Sequence, residues 1–162
     1  MASTPELGAP APDFTLPGIV LSGPDNTGVE RRDFALSGHR GKPIVLAFYP
    51  GDDTPVCTKQ MCAYSNELDK FSGIGVEVWG LSPQGVESHE KFAQRHGLRM
   101  PLLADPERTV IRQYGVALPG LGLKRSVFLV DAEGILRWKH VARLGLTYQP
   151  VETLTAQIAA LA

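Results

Sequence analysis

Hydrophobic and polar positions along the chain follow two rhythms, and they alternate. Ile44-Val45-Leu46-Ala47-Phe48-Tyr49 is an unbroken apolar run of strand length, the pattern of a strand buried on both faces. Val76 to Leu81 reads as a second core strand, and Leu102-Leu103-Ala104 as a short third. Between them the spacing turns helical. From Pro55 to Phe71 the residues Met61, Tyr64, Leu68 and Phe71 recur one turn apart, and Gly73 supplies a stop. Val86 to His96 predicts a further helix, ended by Gly97. Asp105-Pro106-Glu107 resembles an N-cap with proline at the first helical position, which predicts a helix reaching Tyr114. Ser126 to Val130 and Ile135 to Val141 flank the hairpin turn Asp131-Ala132-Glu133-Gly134, and a helix from about Pro150 to Leu161 closes the chain.

Before the first core strand the pattern is looser. Residues 1–13 form a proline-rich lead-in, followed by a short strand near Phe14-Thr15-Leu16. The turn formers from Ser22 to Gly28 predict an exposed loop, around which Gly18 to Leu21 and Val29 to Leu36 pair as a hairpin. Strands alternating with helices, then a hairpin and a helix, predict one α/β domain over residues 1–162 with a mixed central sheet.

Composition narrows the function classes. At 162 residues the chain is long enough to bury about two-thirds of its unfolded surface. A net charge of -1, with basic pairs Arg31-Arg32 and Lys124-Arg125 isolated, leaves no footprint for nucleic acid or an anionic membrane. No apolar run approaches the ~20 residues of a membrane span, and the first residues lack the pattern of a signal peptide. The expectation is a cytoplasmic, reducing location, where a pair of cysteines is more often catalytic than structural.

Both cysteines lie in Pro50-Gly51-Asp52-Asp53-Thr54-Pro55-Val56-Cys57-Thr58-Lys59-Gln60-Met61-Cys62, directly after the first core strand. A Pro-, Gly- and Asp-rich turn carries the chain into a helix, and Cys57 falls in that helix's first turn. There the macrodipole favours a thiolate. A thiol of ordinary acidity is only about 3% ionised at pH 7, so complete ionisation raises reactivity at most about thirtyfold. It also takes roughly 3–4 kcal/mol, more than the ~2 kcal/mol a helix terminus provides at best. A nearby cation is required, arginine suits the task, and the local sequence offers only Lys59. Useful catalysis starts near a millionfold, so donors must also meet charge developing in the transition state. The Thr54 hydroxyl and the free amides of the first turn are the candidates. Cys62 lies five residues on, about 500° around an ideal helix and roughly 8–9 Å away, beyond disulfide reach unless the first turns unwind.

Pro50-xxx-Thr54-xx-Cys57 resembles the active-site signature of the peroxiredoxins, and Cys62 resembles the resolving cysteine of the bacterioferritin-comigratory-protein, or Q-type, subgroup. Ala9-Pro10-Ala11-Pro12-Asp13-Phe14, Gly41 to Pro50, Gly80-Leu81-Ser82 and Arg125 to Asp131 resemble further segments of that family. The segment from Gly18 to Arg32 departs from the subgroup by its length. The resemblance implies a thioredoxin-like fold with an N-terminal hairpin extension. It makes Cys57 the peroxidatic and Cys62 the resolving cysteine, joined in an intramolecular disulfide during turnover. It makes Arg125, which alone reads as a strand-edge residue, the missing cation, with Thr54 beside it. Pro50, Tyr49 and Gln60 become the pocket. The implied reaction reduces hydrogen peroxide and organic hydroperoxides, with a thioredoxin-like or glutaredoxin-like protein as reductant. No cofactor or metal is expected, nor a nucleic-acid or membrane partner, and the expected state is a monomer.

Plainer readings stand beside these. Lys59 and Gln60 read as solvated helix residues, although Gln60 is placed to brace Arg125, and His89 and His96, on one helical face, read as surface residues. A thiol–disulfide oxidoreductase of thioredoxin type usually has Cys-x-x-Cys, which is absent. A redox sensor or holdase, with helix unwinding as the signal, is the alternative from a different class.

Overall fold

The computed structural model describes residues 4–23, 28–52, 54–67, 75–118, 122–142 and 149–161. The chain begins with β1 (Thr15–Ser22) and β2 (Gly28–Ala35), then a 3-10 turn at Leu36–His39. β3 (Ile44–Phe48), α1 (Pro55–Asn66), β4 (Glu77–Ser82), α2 (Val86–His96) and β5 (Leu102–Ala104) follow. After α3 (Thr109–Gln113), β6 (Ala117–Leu118) pairs with β7 (Gly122–Leu123) in a small separate ribbon. β8 (Ser126–Val130), β9 (Leu136–Val141) and α4 (Val151–Ala159) come last.

Seven strands make one mixed sheet in the order β2-β1-β5-β4-β3-β8-β9. The three central strands run parallel because α1 and α2 carry the chain back between them. β1 and β8 flank them antiparallel. Alternation along each strand divides the interior in two. Val45, Ala47, Val78, Val127 and Leu129 face one cluster with Met61 and Tyr64 of α1, Phe92 and Ala93 of α2, and Val151, Leu154 and Ile158 of α4. Ile44, Leu46, Phe48, Trp79, Leu81, Phe128 and Val130 face the other, with Val110 and Ile111 of α3. There Phe128 sits 5.5 Å from Phe48 and 5.1 Å from Tyr114, ring centroid to centroid.

The predicted mixed α/β sheet is present, with differences of detail. The short strand near Phe14 and the first arm of the hairpin are one strand, β1, and the hairpin is the edge of the main sheet. Gly18 permits this arrangement, since a Cβ there would lie 2.8 Å from the Leu102 carbonyl oxygen. The loop residues Pro24 to Thr27, and Leu68, Phe71 and Gly73 of the predicted first helix and its stop, lie outside the described residues. The helix predicted from Pro106 starts later, at Thr109. Residues Asp105 to Arg108 close a turn, Arg108 N–H to Asp105 O at 2.9 Å, and Arg108 takes a left-handed conformation, φ 60°. Asp105 still caps α3, but across that turn, accepting the amides of Thr109 (3.1 Å) and Ile111 (2.9 Å). Gly97 ends α2 as expected, in the left-handed conformation at φ 62°.

Candidate active site

Register brings the site together. β8 pairs with β3 so that Ser126 stands opposite Phe48, which sets Arg125 beside the segment leaving the carboxyl end of β3. That segment leads to Thr54 at the start of α1. Thr54 is the N-cap residue, extended at φ -80° and ψ 150°, and Pro55 occupies the first turn, where its missing N–H costs nothing. Helical bonding begins with Thr58 N–H to Thr54 O at 2.8 Å. Cys57 therefore sits among the first-turn amides that have no intrahelical partner.

Cys57 is fully buried, and Arg125, 3% exposed, points its guanidinium at it. Nη2 donates to Sγ at 2.9 Å, while Nη1 donates to Gln60 Oε1. Gln60 Nε2 in turn reaches the Tyr64 hydroxyl at 3.4 Å, and that hydroxyl donates to the Gln149 carbonyl at 2.6 Å. The fork of donors that arginine offers is thus shared between the sulfur and a buried amide that holds it in line. A fixed cation and a helix N-terminus converge on one sulfur, away from water, where electrostatic interactions are strongest.

The structure brings Cys57, Arg125 and Gln60 together. Gln60 is completely buried, unlike the solvated residue its sequence neighbourhood suggests, because it lies on the α1 face turned to Arg125; Lys59 is exposed. Thr54 adjoins Cys57 along the chain, and its hydroxyl donates to the Gly51 carbonyl at 3.2 Å rather than capping the helix. Pro50 is half-buried in the same loop. Tyr49 is wholly enclosed, its hydroxyl directed at Asp52. Cys62 is half-buried in the same continuous helix as Cys57, and both cysteines are free. Burial pushes the Cys62 thiol up. Trp138 and Cys62 both pack against the cluster that contains Cys57, whereas Trp79 belongs to the cluster beyond the sheet.

Sequence reasoning missed Asp52 and His89. His89 is fully buried, contrary to the expectation of a surface position, and its Nδ1 lies 2.7 Å from Asp52 Oδ2. Asp52 also accepts from Tyr49 Oη and Ser88 Oγ, each at 2.7 Å. Burial first, then the Asp52 charge and the hydrogen bond to it, push the Tyr49 hydroxyl well above the usual phenol range, with charge on Cys57 acting in the same direction. A signal existed: Val86, His89 and Ala93 share the 3–4 spacing that marks the buried stripe of α2.

Residues 7–139 match the AhpC/TSA family. Among curated proteins, the chain is 38% identical over 141 residues to "Putative peroxiredoxin bcp" of Coxiella burnetii, covering 81% of this chain and 85% of that protein. It is 40% identical over 114 residues to chloroplastic peroxiredoxin Q of Sedum lineare, covering 67% of this chain and 59% of that protein. Among solved structures, the reduced 2-Cys peroxiredoxin of Plasmodium vivax superposes with a TM-score of 0.84 at 26% identity, over 96% of this chain and 81% of that one.

Proposed function

The chain belongs to the AhpC/TSA family and is a thiol-dependent peroxidase with a thioredoxin-like fold, and from that premise we propose that Cys57 is the sulfur that meets the peroxide. The observation carrying this reading is the Arg125 guanidinium 2.9 Å from Cys57 Sγ at the first turn of α1. The Cys57 thiolate attacks the terminal oxygen of a hydroperoxide. The O–O bond breaks, the sulfur becomes a sulfenic acid, and the departing alkoxide or hydroxide takes a proton to leave as alcohol or water. Arg125 and the amides at the start of α1 lower the energy of that charge-shifting step, with Thr54 and Pro50 shaping the loop around it.

The second step joins Cys62 to the sulfenic sulfur and releases water. Both cysteines lie in one unbroken helix, five residues apart, so their bonding requires the first turns of α1 to unwind. A dithiol protein of the thioredoxin or glutaredoxin kind then exchanges its own thiols for the disulfide. Hydrogen peroxide and organic hydroperoxides are the substrate class. The cytoplasm supplies the reducing setting this cycle needs, and a single copy of the domain holds every group it uses.

The test is peroxide consumption coupled to thioredoxin, its reductase and NADPH. Cys57→Ser should abolish turnover, and substantial residual consumption would refute the assignment. Cys62→Ser should undergo one fast oxidation followed by impaired recycling.

A further inference from the structure

The Asp52 carboxylate is buried, and its hydrogen-bond partners come from the end of β3 and from α2. Oδ1 accepts from Tyr49 Oη at 2.7 Å, and Oδ2 accepts from Ser88 Oγ at 2.7 Å. Its own amide donates to Gln84 Oε1 at 2.5 Å, and Ser88 Oγ is 3.3 Å from that same oxygen. Against Oδ2 stands His89 Nδ1, 2.7 Å away, with both side chains almost completely enclosed, 0% and 1% exposed. The other ring nitrogen, Nε2, faces the Leu103 carbonyl at 3.0 Å, and a carbonyl only accepts, so Nε2 carries a hydrogen. If Nδ1 and Oδ2 both presented lone pairs at 2.7 Å they would repel, so a proton lies between them.

We propose that Asp52 and His89 are positioning residues for peroxide reduction: the proton held between them pins Asp52 to α2 and so fixes the place of Thr54 and Cys57. The inference rests on the reading of Cys57 as the reacting sulfur. Thr54, the N-cap of α1, is tied by its hydroxyl to the carbonyl of Gly51 next to Asp52, so the pin bears on the start of α1. A second pair of fastenings lies at the far end. Ser65 Oγ accepts the Arg99 amide at 2.8 Å and the Ser65 carbonyl accepts Arg99 Nη2 at 3.0 Å, while Tyr64 donates to Gln149. Unwinding for the disulfide is thereby confined between Asp52 and Tyr64. The pin serves the first chemical step and is not needed in the second, where the turns beyond it are released.

Stopped-flow fluorescence of Trp138 in the full reduced chain, mixed with hydrogen peroxide, separates the two steps as a second-order oxidation and a first-order disulfide formation. Asp52→Ala should slow oxidation by about tenfold to a hundredfold, the scale of an ångström-size misplacement, without slowing disulfide formation. Asp52→Asn should lose no more than Ser88→Ala, because its amide can donate to a neutral His89 Nδ1 and still accept from Tyr49, giving up only the bond from Ser88. Asp52→Ala combined with His89→Ala should lose no more than Asp52→Ala alone, since both remove one pin. Should Asp52→Ala fail to fold, Ser88→Ala removes a single bond from the same pin and should give a smaller loss confined to the oxidation step. Oxidation of folded Asp52→Ala or Ser88→Ala at the parent rate, or equal slowing of both steps, overturns the proposal. A parent protein whose Cys57 does not react with peroxide overturns the peroxidase reading itself, and is recognised before any variant is measured.

Discussion

Arg125→Met tests the electrostatic core of the site. Methionine keeps an unbranched, flexible side chain in the buried space but withdraws the donor 2.9 Å from Cys57 Sγ and the donor to Gln60. A hydrogen bond to a charged group contributes about 1.5–3 kcal/mol. At about 1.36 kcal/mol per factor of ten, the second-order rate of Cys57 oxidation should fall roughly 10- to 150-fold. The same change strips a donor from the Oε1 of a completely buried Gln60, a loss of about 1–3 kcal/mol in stability. For a chain of this size that corresponds to about 2–4 °C of melting temperature per kcal/mol. Rate and stability must therefore be measured together, by stopped-flow oxidation at low temperature and by thermal melting. Arg125→Lys keeps the charge but not the fork, so its rate should lie between those of the parent and Arg125→Met. A folded Arg125→Met that oxidised within about threefold of the parent would refute the argument that this contact drives the step.

Three further expectations draw on other parts of the structure. Burial pushes the Cys62 thiol up, so in Cys57→Ser its labelling by iodoacetamide near about pH 8 should be slower folded than in urea, and should climb with pH beyond the range of a free thiol; equal rates in both states would contradict this. Burial works against ionisation of Asp131, yet the Ile135 amide, Arg137 and the Glu133 amide together hold its carboxyl below the usual range. A lowered acid stabilises the fold above its unfolded value, about pH 4, and loses that contribution as pH falls through the folded one. Asp131→Ala should thus lower the urea midpoint at neutrality and match the parent more closely as the solution is made more acid than the unfolded value; a gap unchanged in acid would count against the account. Phe128→Ala empties the space between Phe48 and Tyr114 and should cost about 3–5 kcal/mol in urea unfolding, with a loss under about 1 kcal/mol contradicting the packing described.

Most of the architecture was legible in local pattern. The bounds of α2 and β5 coincide with the expected ones, and the turn at Asp131 to Gly134 lies where its residues predict, because caps, glycine stops and side-chain period act over four residues or fewer. The start of α3 did not follow, since Asp105 caps it through a turn whose left-handed residue, Arg108, carries no glycine signal. Gln60 shows the same limit: as an amide next to Lys59 it reads as solvated, and only Arg125, brought in at the start of β8, gives its buried side chain a partner.

Placement of Cys57 in the first turn of a helix after a buried strand was written in the order of residues alone, because Pro55 and the apolar run before it determine both boundaries. Its partners were decided elsewhere. Arg125 arrives through the Phe48–Ser126 register, 68 positions along the chain, and His89 meets Asp52 across the β4–α2 connection. Contacts of that separation depend on which strands pair and how the helices settle on the sheet, and a single sequence specifies those only through the packing of the whole chain.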